Sequence, residues 1–342
     1  MRIIIAFLFV CMYSVFTVAQ PINLAQLAQT RIAQSEDVYK LMRKAPWDTP
    51  DFSFIGMIQG NTGQPVRLNE AEFVVQGYLY PSVRADVFMT LSRDEVGQLA
   101  IGIEEAFMTA TNFYDNFGFK LGTKRIEFGK INGLHPEQWG FATRPTVLGT
   151  FLADDGLTGE GLSVDYLFPL PFFLQAQIGS WQAPVSDEPG IFSGAFYSAR
   201  LSTSFALDNN SELSSGLNGV FDNNTSVYGL DMTYVLYPGS SSRLKFLNEV
   251  LYSVSNNVKR WGAYSYLVYK FDRYWETGLR FDMSDSLDAE NDRSKMLTGV
   301  VTHSLTETSK FRVQASYDLD KKSSETIVQV IFGLGPHSHA IN

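Results

Sequence analysis

The side chains whose types could ligate a metal or move a proton are few: His135, His303, His337 and His339, with Ser304 beside one of them. A His-Ser-His spacing at the C-terminal end offers two imidazoles, the commonest transition-metal ligands. Two ligands on a tail, with no cysteine or close acidic cluster to complete them, make a solvated terminus the better reading of His337 and His339. His135, followed by Pro136 and Glu137, reads as a residue that orders a loop. His303 and Ser304 are neighbours in a strand pattern and so point to opposite faces, which separates the pair that hydrolysis would need. No glycine-rich turn lies between a strand and a helix to cradle a phosphate. The only cysteine, Cys11, lies in the apolar start of the chain, so neither a disulfide nor a thiol nucleophile is expected. These residues predict no enzyme, no cofactor and no metal.

What remains is charge repeated at a spacing of two. Trp275, Thr277, Leu279, Phe281 and Met283 share one face of a strand, with Glu276, Gly278, Arg280 and Asp282 on the other. Tyr228, Leu230, Met232, Tyr234 and Leu236 oppose Gly229, Asp231 and Thr233, and Phe311, Val313, Ala315, Tyr317 and Leu319 oppose Arg312, Gln314, Ser316 and Asp318. Runs of about ten residues or more span a bilayer when tilted, whereas strands of soluble proteins average about five or six. Placing each polar face inward assigns to the interior Glu70, Glu72, Arg84, Asp86, Lys120, Asp165, Arg200, Asp231, Glu249, Lys270, Glu276, Arg280, Asp282, Arg312 and Asp318. Charges so placed are costly against lipid and cheap against water. A hydrated lumen with weak ion selectivity, leaning towards cations, is the first expectation, and a barrel plugged by internal salt bridges is the second.

About sixteen such runs open near Asp51, Leu68, Val83, Gln98, Phe117, Gly161, Phe172, Gly194, Glu212, Thr225, Arg243, Arg260, Tyr274, Lys295, Lys310 and Glu325. Even-numbered breaks look tight, as at Pro81-Ser82, Pro169 to Pro171, Asp272-Arg273 and Thr306 to Thr308. Odd-numbered ones look longer, as at Gly60 to Arg67, Ala183 to Phe192 and Ser284 to Ser294. Tyr78, Tyr80, Phe168, Phe172, Trp181, Tyr237, Trp261, Phe271, Tyr274 and Trp275 fall near run ends, where interfacial girdles belong. Fold class is thus all-β: a transmembrane antiparallel β-barrel of about sixteen strands over residues 51–342, closed so that no edge is left in lipid. Before it, residues 1–19 carry a basic start, an apolar run and a small-residue exit, a secretory signal. Residues 20–50 read as a short periplasmic helix and a linker. The interval near 131–160 is too long for a turn, and its Trp139, Phe141 and Phe151 argue against disorder. It is expected to fold inward and constrict the pore with His135, Glu137, Trp139, Arg144, Asp154 and Asp155.

The charge balance argues against nucleic acid: Asp and Glu number 36 against 27 Lys and Arg, without a basic patch. No segment after residue 19 holds about 18 uncharged apolar residues, which excludes a helical membrane protein.

Several stretches resemble a known group. Pro50 to Gly56, Glu104 to Phe107, Lys120 to Gly122, Phe128 to Lys130, Asn132 to His135, Trp139 to Phe141, Arg144-Pro145, Asp155 to Leu157, Leu167 to Pro169 and Phe332 to His337 are similar to porin-like outer-membrane proteins related to the phosphate-selective porins. The likeness spans most of the chain after residue 19, and its specific part is His135 to Gly161. It implies a channel-type barrel in the outer membrane of a Gram-negative bacterium, passing small hydrophilic solutes or ions. A substrate-specific or plugged barrel with a binding or structural role is the alternative. TonB-dependent receptors of the same broad class have about 22 strands, more than this chain can supply. The phosphate-selective group uses a ladder of lysines and arginines, whereas carboxylates outnumber cations in the inward set above. Expected partners are outer-membrane lipids, the barrel-assembly machinery and small solutes or ions, with a homo-oligomer left open.

Overall fold

Alternation of apolar and polar residues is realised strand after strand. In the computed structural model, which describes residues 50–93, 98–184, 192–286, 293–306 and 308–335, Leu279 is 61% exposed while its neighbour Arg280 is 1% exposed. The outward apolar residues face what would be hydrocarbon, and the inward ones are hidden by one another. The segments read as export signal (1–19) and periplasmic helix, with most of the linker, lie outside the described residues, as do His337 and His339.

The strands are β1 (Asp51–Asn61), β2 (Gln64–Tyr80), β3 (Val83–Arg93), β4 (Leu99–Tyr114), β5 (Phe117–Arg125), β6 (Thr158–Leu167), β7 (Phe173–Gln182), β8 (Ala195–Asp208), β9 (Ser211–Phe221), β10 (Thr225–Leu236), β11 (Arg243–Ser255), β12 (Val258–Lys270), β13 (Trp275–Asp285), β14 (Arg293–Ser304), β15 (Lys310–Asp318) and β16 (Ser323–Leu334). Each pairs antiparallel with its sequence neighbours. Pairing of β1 with β16, from Phe54 opposite Leu334 to Asn61 opposite Ile327, closes sixteen strands into a barrel without an edge.

Three details depart from the sequence reading. Gly60 to Arg67 is not a long loop: the strands continue to Asn61 and resume at Gln64, with Gly63 at φ +90°. Glycine at positive φ supports such a two-residue hairpin, and Asn256 and Asn257, both at positive φ, turn β11 into β12 in the same way. Odd-numbered connections are therefore long only in places, chiefly β5 to β6, β7 to β8 and β13 to β14. Trp181 is not a girdle residue. It is 4% exposed, and its indole Nε1 donates to Ser198 Oγ at 2.8 Å inside the barrel. Tyr78, Tyr80, Tyr237, Phe271, Tyr274 and Trp275 do form an exposed belt beside the even-numbered connections.

The largest departure is the core. Residues 126–157 fold into the barrel and carry a 3-10 turn at Pro136–Gln138 and a short helix, α1 (Thr146–Leu152). Phe128, Val147, Leu148, Phe151 and Leu152 pack against Phe196, Val220, Val227, Leu247, Leu251 and Val268 of the wall. The apolar residues are not only spread over the outer surface; part of the interior is a dry core. Strand β11 shows why: Leu247 and Leu251 point inward as Val250 and Tyr252 point outward, so this wall is apolar on both faces.

Candidate functional site

The inward segment leaves the wall through a neck tied by Asn132. Its amide nitrogen donates to the carbonyls of Ile126 (2.8 Å) and Leu157 (3.1 Å), and its Oδ1 accepts from Leu157 N and Arg144 Nη2. One buried amide thereby adds to the backbone bond from Ile126 N to Leu157 O and supplies an acceptor for Leu157 N. Arg144 also donates to the carbonyls of Ala153 (2.8 Å) and Asp154 (2.7 Å). Burial, with Arg125 close by, pushes its pKa down to about 10. Its guanidinium thus donates within the segment, to two backbone carbonyls and to Asn132 Oδ1, where the sequence reading expected a constriction charge facing the passage. Asp154 and Asp155 are exposed.

Wall cations hold the far part of the segment by its carbonyls. Arg312 donates to Phe141 O (3.0 Å) and Trp139 O (2.7 Å), and Lys310 to Glu137 O. Arg280 pairs with Asp282 at 2.7 Å, both almost fully buried, and donates to Thr143 O and Arg144 O. Removing one member of such a pair strands a buried charge at a cost of about 3–5 kcal/mol, whereas replacing both by apolar residues is far milder. Arg280→Met is therefore expected to lower the denaturation midpoint strongly. The double variant Arg280→Met/Asp282→Leu should recover most of the loss, and a double variant no more stable than the single one would contradict this assignment.

At the start of the segment Glu127 bridges Lys120 and Lys124, the second at 2.8 Å, and accepts from Gln177 Nε2. Burial works to raise its pKa, but Lys124 and Lys120 overcome it and hold the carboxyl well below the usual range. A depressed carboxylate contributes stability in full above its unfolded pKa, near 4.5, and loses it as pH falls through the folded value. Glu127→Gln should therefore destabilise the barrel at pH 7, and the gap to wild type should shrink towards pH 3. A gap independent of pH would refute the ion-pair role.

On the opposite wall the segment docks through His135, which is 3% exposed and stacked on Phe88 with centroids 4.7 Å apart. Its Nδ1 lies 2.8 Å from Glu72 Oε2 and 3.8 Å from Glu104 Oε2, and its Nε2 lies 3.0 Å from Glu105 Oε2. Burial pulls the imidazole pKa down, but hydrogen bonds to Glu105 and Glu72 raise it well above its ordinary value. Glu104 and Glu105 are adjacent, yet both turn inward. Phe88 opposes Glu105 and Met89 opposes Ile103, so Glu104 is the extra residue of a β-bulge. Sequence reasoning gave neither glutamate a role, because strict alternation sends one of them to lipid; two glutamates together mid-strand were the available signal.

Two chambers flank Leu134 and Gln138, which line both. The larger, about 300 Å³, holds Arg84, Lys120, Lys124 and Arg125 against Asp86, Glu105 and Glu127, most of them paired. The smaller, about 180 Å³, opens towards the even-numbered connections and is lined by Arg243, Lys245, Lys270, Lys310 and Arg312 with Tyr266, Trp139 and Trp275. Its one carboxylate, Glu276, lies 3.9 Å from Arg243. Of the inward charges read from sequence, Glu72, Asp86, Glu249, Arg280, Asp282 and Arg312 are buried, and Arg84, Lys120, Arg200 and Glu276 are partly exposed. Most are consumed in pairs, including Arg200 with Asp231 at 2.9 Å, while Glu249 accepts from Tyr264 Oη at 2.6 Å. Lys245 and Lys310, absent from the sequence-level inward set, supply the excess charge. A sum over inward residues counts carboxylates that already have cationic partners.

Comparison with known proteins agrees with this architecture. The OmpT loop-deletion variant, an outer-membrane protein of Vibrio cholerae, superposes with a TM-score of 0.57 over 84% of this chain and 99% of that one, at 10% identity. OprB of Pseudomonas putida gives 0.56 over 83% and 92%, at 12% identity, and OmpF of Salmonella typhi gives 0.55 over 83% and 97%, at 9%. An uncharacterized protein of Aquifex aeolicus (strain VF5) is 28% identical over 81% of this chain and 70% of its own length. No family profile matches the chain. Topology and neighbours agree on the fold: a closed barrel like those of outer-membrane porins.

Proposed function

We propose that the protein is exported and works in the outer membrane of a Gram-negative bacterium as a narrow channel for small hydrophilic solutes, favouring anions. The observation that carries the preference is the smaller chamber, where five cationic side chains face one carboxylate within low-dielectric walls. A lining of one sign focuses the field and raises the local concentration of the opposite ion. Lipids contact the outward leucines, valines and aromatics, and the barrel-assembly machinery inserts the chain. His303 packs against Trp275 at 4.3 Å between centroids, which suits a wall position and no catalytic one.

The packed core favours a second reading, a plugged barrel with a binding or structural role, because the β7 to β12 side of the lumen is filled. A planar bilayer with purified, folded protein separates the two. Stepwise conductance well below that of a wide porin supports the channel, and silence from protein whose strand content and heat resistance are intact supports the plug.

A further inference from the structure

We propose that His135, Glu72 and Glu104 form a divalent transition-metal site that ties the inward segment to the barrel wall. His135 Nδ1 and one oxygen from each carboxylate all lie within 4.8 Å of one another. Tetrahedral ligands at zinc-type bond lengths stand about 3.3 Å apart. The observed Nδ1 separations of 2.8 Å to Glu72 and 3.8 Å to Glu104 bracket that spacing.

The neighbouring contacts leave the donor atoms directed at a common point. Both hydrogen bonds from the Arg125 guanidinium to Glu104 end on Oε1, and its Oε2, which faces His135, has no hydrogen-bond partner among the described residues. Glu72 is 2% exposed, and among the described residues His135 is its only ion-pair partner and its Oε1 has no hydrogen-bond partner. An oxygen buried without a partner is costly, and a cation at this point would satisfy it together with its neighbours. Glu105 completes the arrangement from outside: its Oε1 accepts the Arg125 amide, and its Oε2 lies 3.0 Å from His135 Nε2. A carboxylate that accepts a hydrogen bond from Nε2–H orients the ring so that Nδ1 is the nitrogen turned towards Glu72 and Glu104, the way metal-bound histidines are commonly held.

Two carboxylates and an imidazole that releases its Nδ1 proton to solvent as the ion enters match a divalent ion in charge, and the N/O donor set suits Zn2+ and its first-row neighbours over Ca2+. The 300 Å³ chamber reaches both His135 and Glu105 and supplies a path for entry. The site joins three separate parts of the chain, β2, β4 and the inward segment, so binding there favours the docked arrangement by mass action. It revises the expectation of no metal, which set aside the terminal histidines and read His135 as a residue that orders a loop. It does not depend on whether the barrel conducts.

The test uses full-length protein folded in detergent, stripped with chelator, untagged, and carrying His337→Ala and His339→Ala so that the tail contributes nothing. Zn2+ titrated calorimetrically should bind at one equivalent and raise the melting temperature, and Co2+ should develop ligand-field absorption. Glu72→Gln and Glu104→Gln should each weaken binding at least tenfold. Glu105→Gln, acting through the imidazole, should weaken it by about 10- to 100-fold. Absence of saturable binding, or binding unchanged by both Glu72→Gln and Glu104→Gln, would overturn the proposal. His135→Gln, which keeps a hydrogen-bonding side chain, gives a further check should a glutamate variant not fold: retained Zn2+ affinity there would equally rule the site out.

Discussion

Conductance should rise several-fold when Leu148 and Phe151 are both replaced by serine. Both side chains are completely buried, and they fix α1 against β11, β12 and β13. Truncating a buried phenylalanine or leucine costs about 2–5 kcal/mol, and serine adds an unsatisfied hydroxyl. Two such losses exceed what a seven-residue helix can supply on its own. The wall should survive, since its ladders pair strand with strand and do not run through the segment. The expected result is a barrel with unchanged strand content, a segment newly open to protease, and larger, noisier steps in a planar bilayer. If protease cuts the segment while unit conductance stays at the wild-type value, the segment is not the bottleneck. Silence of wild type followed by conductance of the variant would identify the core as the plug.

Lys245→Glu/Lys270→Glu should reverse the ion preference. In a salt gradient the wild-type reversal potential should take the sign of anion permeation, because the chamber presents Arg243, Lys245, Lys270, Lys310 and Arg312 against Glu276. Among the described residues neither lysine has an ion-pair partner, so changing them strands no charge. A unit charge about 6 Å from a passing ion contributes about 1–3 kcal/mol at an effective dielectric between that of water and about 20. Reversing two charges is expected to change the anion-to-cation permeability ratio by tenfold or more, most clearly at low salt, where screening is weak. Should the reversal potential stay put while conductance remains measurable, ions take another route, and the chamber does not set selectivity.

Much of the wall was legible in the sequence because a barrel strand is a local object. Whether Leu279 faces outward and Arg280 faces inward follows from a period of two, and the closed sixteen-strand sheet sums many such decisions. The strand starts agreed to within a few residues, and the errors fell where turn chemistry is compact, as at Thr62-Gly63. The interior was less legible. Arg144 looked like a pore charge because loops that enter barrels carry charges, but its guanidinium serves the carbonyls of its own segment. Glu104 was hidden by a bulge, a one-residue slip that alternation does not announce. Lys245 and Lys310 went unnoticed because their importance lies in what surrounds them, strands whose carboxylates are absent or already paired.

By itself, then, the order of residues determined the barrel: strand, turn and facing are set by neighbours one to three positions apart, and closure is what leaves no strand edge unpaired once those strands exist. Tertiary structure alone decided what fills the cylinder. Val227, Leu247, Leu251 and Phe151 meet from distant parts of the chain to form a dry core, and His135 meets Glu72, Glu104 and Glu105 only because residues 126–157 cross the lumen. Those encounters depend on how a folded segment fits a curved wall, and separation along the chain carries no record of that fit.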